Sequence, residues 1–100
     1  MPRPAQSAPR FQTEPTACFS VHASAEPGTM PRVLELFAKR GLVPTSWTSR
    51  VDSEQGLTID IQMAGMSEEL SGYLTRCLRQ IPGVQVVLAS MKWTAAPASS

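Results

Sequence analysis

An alternating apolar segment, a turn and an amphipathic helix follow one another twice in this chain of 100 residues, and the two halves meet at a tight hairpin. In the first half, Ala17 to Ser24 places Phe19, Val21 and Ala23 on one side and Cys18, Ser20 and His22 on the other. That period of two marks a half-buried strand. The run Glu26-Pro27-Gly28-Thr29-Met30-Pro31 leads into a helix from about Met30 to Arg40, with Met30, Val33, Leu34, Phe37 and Ala38 in one stripe. Pro31 suits a first-turn position, Lys39 and Arg40 favour the C-terminal dipole end, and Gly41 suits the residue just past the helix.

The second half opens with a strand from about Thr45 to Asp52, where Thr45, Trp47, Ser49 and Val51 share a face. Ser53-Glu54-Gln55-Gly56 reads as the hairpin, with its glycine at positive φ. Leu57, Ile59, Ile61 and Met63 then alternate with Thr58, Asp60 and Gln62, the cleanest strand in the chain. Ser67 is placed to cap a second helix, with Glu68 and Glu69 in its first turn. The apolar stripe of that helix is Leu70, Tyr73, Leu74, Cys77, Leu78 and Ile81, and Pro82-Gly83 ends it before a last strand over Val84 to Ala89. The order β-α-β-β-α-β predicts an α+β, ferredoxin-like fold: a four-stranded antiparallel sheet with both helices on one face. The other face carries Ser20, Thr58, Asp60 and Gln62 and is expected to be polar.

Residues 1–15, with Pro2, Pro4, Pro9 and Pro15, read as a disordered tail, 16–91 as the domain, and 92–100 as a flexible tail. The folded part is small enough that a second chain is expected to share in its stability. Formal net charge is +1 with no basic face, which argues against nucleic acid as a partner. No apolar run reaches the roughly 18 residues of a membrane span, and no apolar stretch follows Arg3 and Arg10 as in a secretory signal. Cys18 and Cys77 are too few for a disulfide scaffold and read as reduced packing residues, which points to the cytoplasm. With no CxxC pair and a single histidine, neither a metal nor a cofactor is expected.

A glycine turn feeding a helix presents free N–H groups and a positive dipole end, so the run from Glu26 is the candidate binding feature. His22 stands without a nucleophile or second base and reads as a satisfied or solvated histidine. Trp47 reads as packing or an interface anchor, and Trp93 as a tail residue, incidental or docked on a partner. Arg32, Lys39 and Arg40 are assigned to solvent, as are Asp52 and Glu54 beside the hairpin and Asp60 and Gln62 on the open face.

The order of elements, together with Phe19 to Ser24, Glu26-Pro27-Gly28, the stripe from Val33 to Phe37 and Arg40-Gly41, resembles the ACT domain family. Within it, the chain is similar to the short type of regulatory (small) subunit of acetolactate synthase. The resemblance implies a non-catalytic module that forms homodimers and binds an amino acid or holds a catalytic subunit active in branched-chain amino-acid biosynthesis. It also implies a ligand lying between two chains against Ala25, Glu26, Pro27, Gly28, Thr29 and Met30, with Gly41 and Val43 contributing. Family members that bind an amino acid carry Asn where this chain has Ala25 and Val43. Each missing charged hydrogen bond is worth about 1.5–3 kcal/mol, a tenfold or greater loss of affinity.

Two functions fit the resemblance: a regulatory subunit acting on acetolactate synthase, and a free-standing amino-acid sensor acting on another enzyme or regulator. A catalytic or RNA-binding use of the same layout is disfavoured. The first turn lacks the arginine of an acylphosphatase-like site, and the open sheet face lacks the aromatics of an RRM-like one.

Overall fold

The structure, a computed structural model, describes residues 13–95. Its elements are β1 (Thr13–Ser24), α1 (Thr29–Ala38), β2 (Ser46–Val51), β3 (Gly56–Ala64), α2 (Glu68–Arg79) and β4 (Val84–Ala95). The strands lie in the order β2-β3-β1-β4 with every neighbouring pair antiparallel. This is the ferredoxin-like arrangement that the alternation and the two helical stripes predict.

The period-two pattern decides which side of the sheet the helices cover. Ala17, Phe19, Val21 and Ala23 of β1 and Leu57, Ile59, Ile61 and Met63 of β3 are all buried, while the residues between them are half-exposed. Val33 and Phe37 of α1 and Leu74 and Leu78 of α2 pack onto that apolar face. At the centre, the rings of Phe19 and Phe37 meet edge to face, centroids 5.9 Å apart at 76°, the geometry the ring quadrupoles favour.

Both helices are rotated from the stripes read off the sequence. In α1 the buried positions are Thr29, Val33 and Phe37, whereas Met30 and Leu34 are 38% and 46% exposed and Ala38 is also exposed. The phase is set one residue earlier, because the helix starts at Thr29 and that side chain is drawn inward by a hydrogen bond. In α2 the buried positions are Ser71, Leu74, Thr75 and Leu78. The Thr75 hydroxyl is buried at no cost in unmet hydrogen bonds, since it donates to the Ser71 carbonyl at 2.7 Å. Tyr73 is exposed, and its hydroxyl accepts from Arg40 Nη2 at 2.7 Å while the guanidinium carbon lies 4.9 Å from the ring centre. Arg40 also donates to the Leu36 carbonyl at 3.0 Å. It therefore ties the end of α1 to α2 and is not simply solvated. The Ser67 cap on Leu70 N–H, at 3.1 Å, forms as expected.

Strand pairing reaches into both segments read as tails. Thr13 pairs with Ala95 and Pro15 with Trp93, so 13–15 and 92–95 belong to β1 and β4. Pro15 is tolerated because a strand residue points its N–H and C=O to the same edge. Its carbonyl accepts from Gly65 N–H at 2.7 Å, which directs the missing donor toward the point where β3 has already ended at Ala64. The rest of both predicted tails, 1–12 and 96–100, lies outside the described residues. Among the described residues, no helix is long and apolar enough to cross a membrane.

Phe37 is fully buried and holds both the sheet and α1 in phase. Phe37→Ala is expected to cost about 3–5 kcal/mol, measured as a shift in urea midpoint with little change in slope.

Candidate functional site

β1 ends at Ser24, pinned from both sides. Ser24 N–H donates to the Gly83 carbonyl and Ala25 N–H to the Gln55 carbonyl, each at 3.0 Å. The chain then reverses in a turn closed by Thr29 N–H donating to the Glu26 carbonyl at 3.0 Å. Pro27 occupies the second position of this turn, where its fixed φ fits, and Gly28 the third, at φ −84° and ψ −6°. Gly28 is therefore not required for a left-handed backbone; what it provides is space. A Cβ there would stand 2.9 Å from Arg32 Nη1. The Arg32 guanidinium folds back over the turn, one helical turn on from Gly28 and on the same side.

Hydrogen bonding divides the turn residues into two groups. Thr29 is fully buried, its Oγ1 donates to the Ser24 carbonyl at 3.2 Å, and its N–H is already used. Ala25 and Glu26 N–H groups are likewise taken, the latter by the Ser24 carbonyl at 2.9 Å. These residues hold the turn. Gly28, the N-cap, offers no side-chain cap, and the N–H groups of Gly28 and Met30 find no backbone acceptor among the described residues. Pro31 has no N–H to offer. The positive end of α1 thus presents the Gly28 and Met30 N–H groups, with the Arg32 guanidinium beside Gly28.

A depression beside the turn runs between Ser24–Glu26 and the β2–β3 hairpin, and its wall carries the carboxylates of Glu26, Asp52 and Glu54. Asp52 is more than a solubilising residue. Its Oδ1 accepts from the N–H groups of both Glu54 and Gly56 at 2.8 Å. These bonds, Gly56 first and Glu54 second, hold its carboxyl below the ordinary value of 3.8, with a smaller contribution from Arg50. The positive φ expected at Gly56 is instead carried by Gln55, at 66°. Gly56 is needed for close approach, since a Cβ there would lie 2.6 Å from Asp52 Oδ2.

Gly41 and Val43 are at the other end of α1. Gly41 adopts φ +70°, as a residue just past a helix does, and Val43 is 81% exposed. The ten residues of α1 rise about 15 Å between the two groups. Within one chain the structure therefore does not bring Gly41 and Val43 to the turn. Arg32, Gln55 and Asp52 are the participants that motif reading passes over. The spacing of Arg32 four residues after Gly28, and the Asp52-x-Glu54-x-Gly56 pattern of a side-chain-closed turn, are the signals that point to them.

On the open face, His22 Nε2 lies 3.3 Å from Ser20 Oγ and its Nδ1 3.5 Å from Thr58 Oγ1. The ring is half-buried between two neutral hydroxyls, a satisfied histidine. Trp47 is half-buried against the core, while Val51 on the same strand is 61% exposed. No group of three or more His, Cys, Asp or Glu side chains among the described residues could hold a metal ion.

This fold, with a glycine turn at the head of α1, is that of the ACT-like regulatory modules, a class that is in general non-catalytic. The family model for the ACT-like domain matches residues 10–96, and the chain belongs to that family. In solved structures, the fold is shared with the C-terminal domain of the MgtC protein from Mycobacterium tuberculosis. The TM-score is 0.58 at 17% identity, over 88% of this chain and 96% of that one. No curated protein matches the chain in sequence.

Two outcomes check this geometry. Thr29→Val keeps the shape but removes the donor to Ser24, and is expected to cost about 1–3 kcal/mol in chemical denaturation. The Asp52 carboxylate contributes stability above the unfolded-state pKa of about 3.9, and the contribution is lost as pH falls through its lower folded value. In carboxyl-carbon NMR, Asp52 should titrate below the ordinary aspartate value of 3.8, and Asp52→Asn should remove that part of the acid-side decline in stability.

Proposed function

We propose that the chain is a non-catalytic regulatory subunit of the acetolactate synthase small-subunit type, which forms homodimers and holds a catalytic subunit in its active form. The observation that carries this reading is the turn at the head of α1. Its Gly28 and Met30 N–H groups lack backbone acceptors, Arg32 lies over it, and the neighbouring depression is acidic. Those two chemistries match the two ends of a free amino acid. The α-carboxylate meets helix N–H donors and a guanidinium, and the ammonium faces Glu26, Asp52 and Glu54.

Because Gly41 and Val43 stand about 15 Å from the turn along α1, one small ligand contacts both groups only if they come from two copies of the chain. A site shared between copies makes occupancy and dimerisation one equilibrium. Ala25 and Val43 supply no side-chain hydrogen bond, so affinity rests on backbone donors and Arg32, and millimolar binding is expected. The reading in which the same pocket serves another enzyme uses the same contacts and differs only in the partner.

An amide NMR titration with valine, leucine and isoleucine at millimolar concentration tests the pocket. Saturable shifts at Gly28 and Gly41 in the same titration are expected, with Arg32→Ala weakening binding by about tenfold. Mixing the chain with an acetolactate synthase catalytic subunit should raise its rate and shift its sedimentation. Absence of both co-migration and a rate change would overturn the partner assignment, and flat amide shifts would overturn the ligand site.

A further inference from the structure

We infer that the groove between α2 and β4 binds the C-terminal peptide of a partner protein, which lies along β4 as a short antiparallel strand and sets its free carboxylate against Arg76 and Arg79. The inference stands apart from the amino-acid reading, which concerns the turn at the head of α1.

One flank of the groove is backbone. Gly65 N–H donates to the Pro15 carbonyl, so the odd-numbered residues of β1 turn their backbone groups toward β3. Their partners in β4, Ala89 opposite Phe19 and Met91 opposite Ala17, therefore turn theirs outward. Arg79 Nη2 donates to the Val87 carbonyl at 3.0 Å, which a side chain from α2 reaches only where that carbonyl faces away from β1. The same contact closes the edge at Val87. A strand that ran on past Ala89, the β4 of a second copy included, would displace Arg79. A chain that ends opposite Ala89 leaves the contact whole.

The other flank is α2. Ala89 and Met91 floor the groove, and Ser71, Gly72 and Thr75 wall it. Thr75 is satisfied by the Ser71 carbonyl. Ser71 is only 5% exposed, yet its Oγ bonds to none of the described residues. A buried hydroxyl left over in this way is open to an acceptor from outside. Gly72 leaves the wall between them without a side chain, so an extended chain can come close.

Charge selects what ends there and which way it runs. β3 and β4 both pair antiparallel with β1, so α2, which joins one to the other, runs back against them. Arg76 and Arg79 therefore stand at the Val87 end of the groove and Glu68 and Glu69 at the Met91 end. The one salt bridge among the described residues is Lys39–Glu35, so these four charges have no charged partner there. A chain end with a carboxylate fits the arginines, whereas an N-terminal ammonium would be repelled, and this sets the peptide antiparallel to β4. The last turn of α2 adds about half a negative charge, which two guanidinium groups outweigh. About 10–16 Å of helix separates the arginines from the glutamates. Four residues of extended chain span about 14 Å and return a side chain to the same face. The occupant is thus a C-terminus with Lys or Arg four residues before its last, held by strand addition and by charge at both ends.

Acetyl-Lys-Val-Ser-Val-Val with a free C-terminal carboxylate, titrated to millimolar concentration into the full chain, tests the inference by amide NMR and hydrogen exchange. Saturable shifts at Ser71, Gly72, Ala89 and Met91 are expected. The Ala89 and Met91 amides should gain about tenfold protection or more, while Leu88 and Ser90, already bonded to β1, change little. Amidation of the peptide C-terminus, Arg76→Gln and Arg79→Gln should each weaken binding by about tenfold or more, with the far-UV spectrum of both variants retained. A titration without saturable shifts, or an amidated peptide that binds equally well, would overturn the proposal. So would concentration-dependent protection of Ala89 and Met91 in the chain alone, which would give this edge to a second copy.

Discussion

β1 fixes the register of the whole molecule. It is paired on both edges, to β3 and β4, over most of its length, and Ala17, Phe19, Val21 and Ala23 on its inward face are buried. A strand so confined cannot slip by one residue without turning Phe19 and Val21 to the polar side, so the alternation specifies pairing as strongly as it specifies burial. The direction of every backbone group on β3 and β4 then follows from β1, as does the place where the chain leaves the sheet at Ser24. The head of α1 is positioned by that exit rather than by the helix itself, which has no side-chain cap at its start.

The chemistry of the turn is a matter of which groups are already satisfied. Folding consumes the donors of Ala25, Glu26 and Thr29 and leaves those of Gly28 and Met30. Proline at 31 means that no third donor is stranded there. The arrangement costs little, because helix N-termini always leave N–H groups over and solvent accepts them when nothing else does. Arg32 adds a full charge at a point where the dipole is already positive, an unfavourable pairing for the isolated helix that an anion would relieve.

Much of the fold was legible in the sequence because period-two and helical spacing are both visible over long stretches, and β1, β3 and the α2 cap fall where those signals put them. The strand ends were not legible. Pro15 and the small residues after Lys92 read as tail, and only the offset of β3, which ends at Ala64 before reaching them, makes Pro15 harmless. Helix phase was partly legible: Val33 and Phe37 stand out, but the inward turn of Thr29 depends on a bond to Ser24 that no spacing announces. For the candidate site, the turn itself was readable and its contents were not. Which N–H groups remain free depends on Gln55 and Gly83, residues distant in sequence. Family resemblance groups Gly41 and Val43 with the turn, yet the length of α1 keeps them apart within a chain.

The small node at Ser24, Thr29 and Gly83 has a consequence for how the molecule opens. Ser24 donates to the Gly83 carbonyl and accepts from Thr29, and Gly83, at φ +92°, lies beside Thr29, where an added Cβ would be in ordinary contact with its hydroxyl at 3.8 Å. The head of α1 and the first residues of β4 are therefore joined through one shared set of bonds. Loosening either releases the other, so the two behave as a single unit of local unfolding with a common free energy. Events at one end of the sheet are in this way carried into the strand that forms its outer margin, with no moving domain between them.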